Sequence, residues 1–505
     1  MKRFPLILLL AVSALIGCTN IDPNPNPDPD ITRALADSIL TYDFLQEEAP
    51  DCAVVEEEYL TVEDMAALYD KDIADGDPDA EKYKNDFLER CREVEESLIA
   101  DNGDNAVALI FKTKKFQYKT LNQKGDEITL SAFMGWAGMW LWLPFKGKFF
   151  VPFKQDHIVL SCPYTHTKWD ECASKNRGGK EFRFMLHDNL FIMSDGQGFG
   201  DDNNHVQTYL DHNTHARQYF DALRSGMYLY AKDKEGGRLE KDWNLLVVGA
   251  SQGAGDAIAL HKFLDTHNTT LNLAPYYEQE STAAAANLLC DMYGVPKGTT
   301  SLSVPMKDSY RFKQSIVCCG PYCPAATMEF YQREKKLSYP CVIPLVIKSA
   351  LACCKELSDK YKETDFFSPE WNNNKKDFDD IYLRKTKDSD DLNKYIRQKL
   401  AVKGEKIAPE ELPLRRMLSE DMLDPKSEIS RDLMAWLNTQ DLTSNWKPLT
   451  ETYLYCSTID EVVPYTNTHR LRGLFEDNGN KFKEIYTGFK HVGSCRFYMM
   501  GWWKP

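Results

Sequence analysis

Residues 244–255 read Asn244-Leu245-Leu246-Val247-Val248-Gly249-Ala250-Ser251-Gln252-Gly253-Ala254-Gly255. A continuous apolar run bounded by turn residues predicts a strand buried on both faces. The small residues after it lead into a helical pattern that runs to Leu264. The chain must therefore pass from strand to helix through Gly-x-Ser-x-Gly. Such a turn is sharp and strained, and it lifts the Ser251 hydroxyl clear of the sheet. Gly249 and Gly253 flank it because a side chain there would collide with the neighbouring strand and helix. The helix N-terminus favours the negative charge that develops when a serine attacks a carbonyl. Ser251 is the candidate nucleophile, with Gly249 and Gly253 as the glycines of its elbow.

Outward from this stretch the pattern repeats. Val107–Thr120 and Glu127–Met134 read as strands joined at Gly125-Asp126, and shorter strands follow at 158–162, 190–193, 314–319, 451–456 and 483–486. Helix-length segments such as Thr208–Tyr230 lie between them. Apolar strands alternating with helices predict an α/β fold, a mostly parallel central sheet with helices on both faces. From Gly320 to Thr450 no clear sheet strand occurs, and the stretch is charged and helically periodic. A structureless loop of that length is improbable in a compact domain, so 320–450 reads as a helical cap or lid insertion. Residues 31–107 read as a helical N-terminal extension, which leaves 108–319 and 451–505 as the core. The acidic stretch Asp72–Asp79 fails the spacing of a calcium loop and reads as a solvated turn.

A serine hydroxyl is a weak nucleophile at neutral pH; it needs a histidine base, oriented in turn by a carboxylate. With the elbow in place, the chain resembles the α/β-hydrolase family over roughly residues 108–320 and 450–500. The family's order is Ser, then Asp or Glu, then His, each following a strand. On that resemblance Asp460, in Ser457-Thr458-Ile459-Asp460-Glu461-Val462-Val463-Pro464, is the acid, with Glu461 as its rival. His491, in Gly488-Phe489-Lys490-His491-Val492-Gly493, is the base. His469 is its nearest competitor but falls inside the helix predicted after Asp460. The resemblance implies two backbone amides for the oxyanion, one from Gln252 and one from the loop after strand 158–162, where Thr165 aligns. His166 beside it reads as a loop residue. Ser194-Asp195-Gly196-Gln197-Gly198-Phe199-Gly200 is similar to the family's Asp-x-x-Gly-x-Gly loop, which shapes the sheet edge.

Composition excludes other classes. The 505 residues are 43% hydrophobic and 12% aromatic, enough to build a core. A formal charge of −15 lacks the basic footprint of a general nucleic-acid binder. The body holds no apolar run of membrane-spanning length. Lys2 and Arg3 followed by apolar Leu6–Ile16 read as a signal peptide over 1–17, and Leu15-Ile16-Gly17-Cys18 resembles the bacterial lipobox. Cys18 is then the lipid-attachment site, and loss of the two basic residues takes the mature chain to −17. Alternating prolines from Pro23 to Pro29 make 18–30 an extended tether. The expected location is exported and lipid-anchored to a bacterial cell envelope, at the outer membrane or cell surface. The 14 cysteines hold no CxxC pair, and with the histidines they form no zinc pattern; neither metal nor cofactor is expected. Cys162 and Cys172 flank one loop closely enough to pair.

The reaction these residues suit is acyl transfer to water through an acyl-enzyme, on a small-molecule, glycan or lipid ester. Two alternatives stay open: a serine peptidase of the prolyl-oligopeptidase type, whose propeller repeat has no counterpart here, and a non-catalytic glycan-binding lipoprotein. The aromatic run Phe133, Trp136, Trp140, Trp142 and Phe145 reads as a strand packed under the N-terminal helices.

Overall fold

The computed structural model describes residues 29–41, 50–74, 79–102, 106–143, 145–202, 205–236, 239–401 and 411–500. The leader, Cys18 and most of the tether lie outside them, as does the centre of the acidic turn. The last two tether residues do not stay extended: Pro29–Leu40 is a helix. Proline suits a first helical turn, where its missing N–H is no loss, and Asp30 there faces the positive end of the dipole.

Ten strands form the central sheet: β1 (Cys52–Thr61), β2 (Ala106–Leu121), β3 (Glu127–Leu143), β4 (Gly147–Pro152), β5 (Gln155–Cys162), β6 (Asn189–Ser194), β7 (Leu239–Ala250), β8 (Phe312–Cys318), β9 (Glu451–Cys456) and β10 (Phe482–Tyr486). Their order is β1-β2-β3-β6-β5-β7-β8-β9-β10, with β4 paired to β3. From β6 to β10 all pairings are parallel, and β1 to β4 form an antiparallel flank. Ile158–Leu160, Leu245–Val248 and Ile316–Val317 are fully buried because helices cover both faces. Phe191 packs in a cluster with Phe87 of helix Ala80–Asn102 and Tyr498 of helix His491–Met500. The next residue, Ile192, points the other way, against Gly226 of helix His212–Lys232, as the two-residue period of a strand requires. The α/β architecture read from the strand pattern is the one observed.

The extension over 31–107 is not wholly helical. β1 lies within it, antiparallel to β2 in a register that sets Glu56 against Lys115 and Glu57 against Lys114. Glu56 and Glu57 thus face lysines across the strands, and Glu58 pairs with Arg177 at 3.2 Å. Glu57 pairs with Lys112 at 3.3 Å and Lys114 at 2.9 Å. Lys112 is buried and also meets Asp233 at 3.0 Å, so the strand gains charge complementarity that its own sequence does not show. The aromatic run divides by face. Phe133 joins the Phe87 cluster as expected, whereas Trp136 turns to the opposite face and meets Tyr230 edge to face at 4.9 Å. Trp142 and Phe145 are exposed.

Residues 268–309, placed in the core by sequence, group instead with the N-terminal helix as a separate compact unit. A hairpin of Asn268–Asn272 with Ser301–Pro305 and helix Glu280–Met292 enclose Ala36, Ile39, Leu289 and Val304. Among the described residues between 324 and 439 the elements are helices apart from one short strand pair, Lys336–Leu337 with Leu412–Pro413. These helices have their own core, in which Trp371 stacks on Phe367 and Phe378, and Tyr209 and Leu210 join it from the segment before helix His212–Lys232. Cys162 and Cys172 are both buried free thiols. Among the described residues no helix is long and apolar enough to cross a membrane.

Candidate active site

β7 ends at Ala250 and helix Gln252–Thr266 begins two residues later, so Ser251 alone makes the turn. Its backbone, φ 53° and ψ −122°, is a conformation that L-residues rarely adopt. The strain is held from both sides. The Ser251 N–H donates to the Cys318 carbonyl of β8 at 2.8 Å, and its carbonyl starts the helix. A methyl on Gly249 would run into the Gly253 carbonyl, and one on Gly253 into the Cys162 and Pro163 carbonyls at the end of β5. The two glycines thus allow the helix start to sit against its own strand and the neighbouring one.

β9 delivers Asp460 and β10 leads to His491, the first residue of helix His491–Met500. Asp460, His491 and Ser251 meet although 31 and 240 residues separate the two bonded pairs. The His491 Nδ1–H donates to Asp460 Oδ2 at 2.8 Å, and the Ser251 hydroxyl donates to His491 Nε2 at 2.9 Å. A carboxylate can only accept, so Asp460 selects the tautomer that leaves Nε2 as a base. Asp460 is held in turn: its Oδ1 accepts from the Val462 N–H at 2.9 Å and the Val463 N–H at 2.7 Å. Its rival Glu461 accepts only the backbone N–H of His491, at 3.1 Å. His469 is exposed on helix Thr466–Asp477 and far from this chemistry in role, bonded through its backbone to Tyr465. His166 is buried between Tyr164 and Phe199, and burial lowers its pKa to about 3.

Burial opposes a charged His491 ring, but the Asp460 carboxylate beside it outweighs that and raises the imidazole above its ordinary 6.5. A general base must be neutral. Protonation should therefore silence the site at acid pH, and kcat/KM should rise with pH to a plateau, with a midpoint above 6.5. A pH profile on any turned-over ester measures this; a rate that stays flat down to pH 5 would count against His491 as base.

Gln252 opens its helix, so its N–H has no intrahelical acceptor. Thr165 lies buried on the loop after β5, its hydroxyl bonded to that of Tyr209 at 3.0 Å. Tyr209 and Ser251 line one small pocket of about 40 Å³. Its walls are apolar: Leu210, Met328, Val342, Ile343, Val346 and Val462. Most of them come from the helical stretch after residue 324.

Other buried polar groups went unmarked in the sequence. Asp256, on the nucleophile helix, accepts from His212 Nδ1 at 3.1 Å and His215 Nδ1 at 2.9 Å. Burial would raise this carboxyl, and the two imidazoles overcome that and bring it to about 2. Gly255 makes the approach possible, because a methyl there would strike the His212 ring. The trio ties helix Gln252–Thr266 to helix His212–Lys232. Asp195 of the glycine-rich loop accepts from the Ser174 N–H at 2.7 Å and is fully buried, a structural post with no link to Ser251. For a metal, the described residues offer one close trio of ligand atoms, Cys319, Asp460 and His491 within 4.8 Å, and the last two already serve each other.

No protein-family model matches the chain, and no curated protein matches it in sequence. Solved structures do match in shape. The rice cell wall degrading esterase LipA from Xanthomonas oryzae superposes with a TM-score of 0.56 at 14% identity, over 89% of this chain and 94% of that one. A Legionella pneumophila protein provisionally assigned as a hydrolase gives 0.54 at 14% identity, over 89% and 95%. At such identity the likeness is one of fold.

Proposed function

We propose that this chain, which has the α/β-hydrolase fold, hydrolyses carboxylic esters through Ser251, His491 and Asp460. The observation that carries the reading is the unbroken hydrogen-bonded line Asp460–His491–Ser251, ending at a strained elbow beside an apolar pocket. Ser251 Oγ attacks the ester carbonyl as His491 Nε2 takes its proton, and Asp460 steadies the imidazolium. The Gln252 and Thr165 amides hold the oxyanion. His491 then protonates the leaving alcohol, and water releases the acyl group by the same roles reversed.

The pocket at Ser251 sets the acyl group. A water needs roughly 10–15 Å³ of such volume, so about 40 Å³ accommodates a few heavy atoms. So small a pocket suits acetyl to butyryl esters better than a fatty acyl chain. For the alcohol side, the shared fold with a rice cell wall degrading esterase is the ground for reading a cell-wall ester as substrate. A fluorophosphonate probe should label Ser251, and p-nitrophenyl acetate and butyrate should be cleaved faster than the decanoate. An unlabelled protein would favour the binding-lipoprotein reading. Cleavage of prolyl amides with inert esters would favour the peptidase, and a preference for the decanoate would remove the acyl-size argument.

The location proposed with this activity is the cell envelope, through a lipid on Cys18. It rests on the basic start, the short apolar run and Leu15-Ile16-Gly17-Cys18. In a bacterial host fed labelled palmitate, the protein should carry label and Cys18→Ser should not. Equal labelling would end that proposal.

A further inference from the structure

A second cavity, far larger than the one at Ser251, lies among the described residues. A space of about 1270 Å³ opens between the helices of 345–395 and the segment that carries Phe199 and Gln207. It exceeds the usual range of small-ligand sites. Its wall is unusually basic for a chain of net charge −15. Five lysines line it, and four of them divide into two sets. Lys348 is neutralised by Glu363 at 2.8 Å and Asp379 at 2.9 Å, and Lys375 by the same two acids. The remaining acids of the wall are also engaged, Asp377 by Lys399 at 2.9 Å and Asp380 by Arg384 at 2.8 Å. Lys385 and Lys387 have no such counterpart among the described residues. Each ammonium lies instead over an aromatic face, Lys385 over Phe199 and Lys387 over Tyr395, both at 5.3 Å.

Both lysines are only partly exposed. An ammonium withdrawn from water without an anion loses solvation that an aromatic face restores only in part. Burial lowers the Lys385 pKa further than the nearby Asp202 carboxylate raises it, and Asp202 is itself taken up by His205. The backbone around them is fixed. The Lys385 carbonyl accepts from the Trp169 N–H at 2.9 Å, and the Lys387 carbonyl from the Thr167 hydroxyl at 2.9 Å. The charges are thus presented on an anchored segment, and Thr167 itself lines the cavity.

We propose that this cavity is a binding site for an anionic ligand, whose carboxylate or phosphate is neutralised by the ammonium groups of Lys385 and Lys387. The site is separate from the ester-cleaving machinery, and its occupancy does not require Ser251. It shares only a loop with it: Thr165 bonds Tyr209 at the small pocket, and Thr167, two residues on, borders the large one.

Calorimetric titration of the Ser251→Ala protein with inorganic phosphate and with trigalacturonate tests this without turnover. Saturable binding of at least one is expected, with an affinity that falls as salt is added. The tighter arm identifies the source, a phosphate or the acid groups of a glycan. Lys385→Gln with Lys387→Gln should weaken binding tenfold or more. On a wild-type Ser251 background the same pair should leave p-nitrophenyl acetate hydrolysis unchanged when no anion is present. Absence of binding in both arms would overturn the proposal, as would equal affinity in the double variant. Should that variant not fold, the salt dependence decides: an affinity indifferent to salt excludes the ammonium groups.

Discussion

Ser251→Ala is expected to reduce ester hydrolysis by on the order of 10⁵ to 10⁶ in kcat while leaving the protein folded. On the proposed mechanism the hydroxyl is the atom that forms the acyl bond. What remains should be the small acceleration from oxyanion binding and substrate positioning. Alanine suits the turn no worse than serine, since neither has the freedom of glycine at φ 53°. The loss should therefore appear in kcat with an unchanged melting curve. A short-chain p-nitrophenyl ester and thermal unfolding measure the two halves. Activity within tenfold of the parent would remove Ser251 from the mechanism.

The second large effect belongs to Asp460→Asn, expected to lower kcat by about 10⁴. The structure explains why so conservative a change should cost so much. Asp460 Oδ1 is held by the Val462 and Val463 N–H groups, which require an acceptor. In the variant the amide oxygen must stay there, and the NH₂ group is turned toward His491 Nδ1. Nδ1 then has to accept, the ring proton moves to Nε2, and Ser251 faces a donor in place of a base. Glu461→Gln should have a small effect by comparison, because Glu461 supports only a backbone N–H that a glutamine oxygen can also receive. Near-normal activity in Asp460→Asn together with a collapse in Glu461→Gln would transfer the acid role to Glu461.

Much of this site was legible before the chain was folded. Gly249, Ser251 and Gly253 are neighbours, and the reason for their spacing is a steric conflict within a few residues, so it shows in consecutive letters. Asp460 and His491 were chosen on the α/β-hydrolase resemblance, which implies the chain order and a position after a strand, and the fold brings both side chains into line with Ser251. β1 was not legible. Its glutamates are answered by Lys112, Lys114 and Lys115 some 55 residues later, and no local pattern records that pairing. The 268–309 unit escaped for a like reason: its hairpin strands are short and half exposed, and the helix packed with them lies more than 200 residues earlier in the sequence. Asp256 with His212 and His215 carries no motif at all; the trio exists because two helices cross where Gly255 lacks a side chain.

The amino-acid order was thus sufficient for the sheet-and-helix class and for the strand-to-helix turn at Ser251, and the family resemblance pointed to Asp460 and His491. These depend on backbone sterics and on periodicity, both of which act over a few residues. The folded chain alone decided which oxygen of Asp460 faces the ring, how large the pocket beside Ser251 is, and which lysines of the larger cavity lie on aromatic faces instead of in ion pairs. Volumes and charge balances of that kind are summed over side chains brought together from distant parts of the sequence, and they exist only once those parts have met.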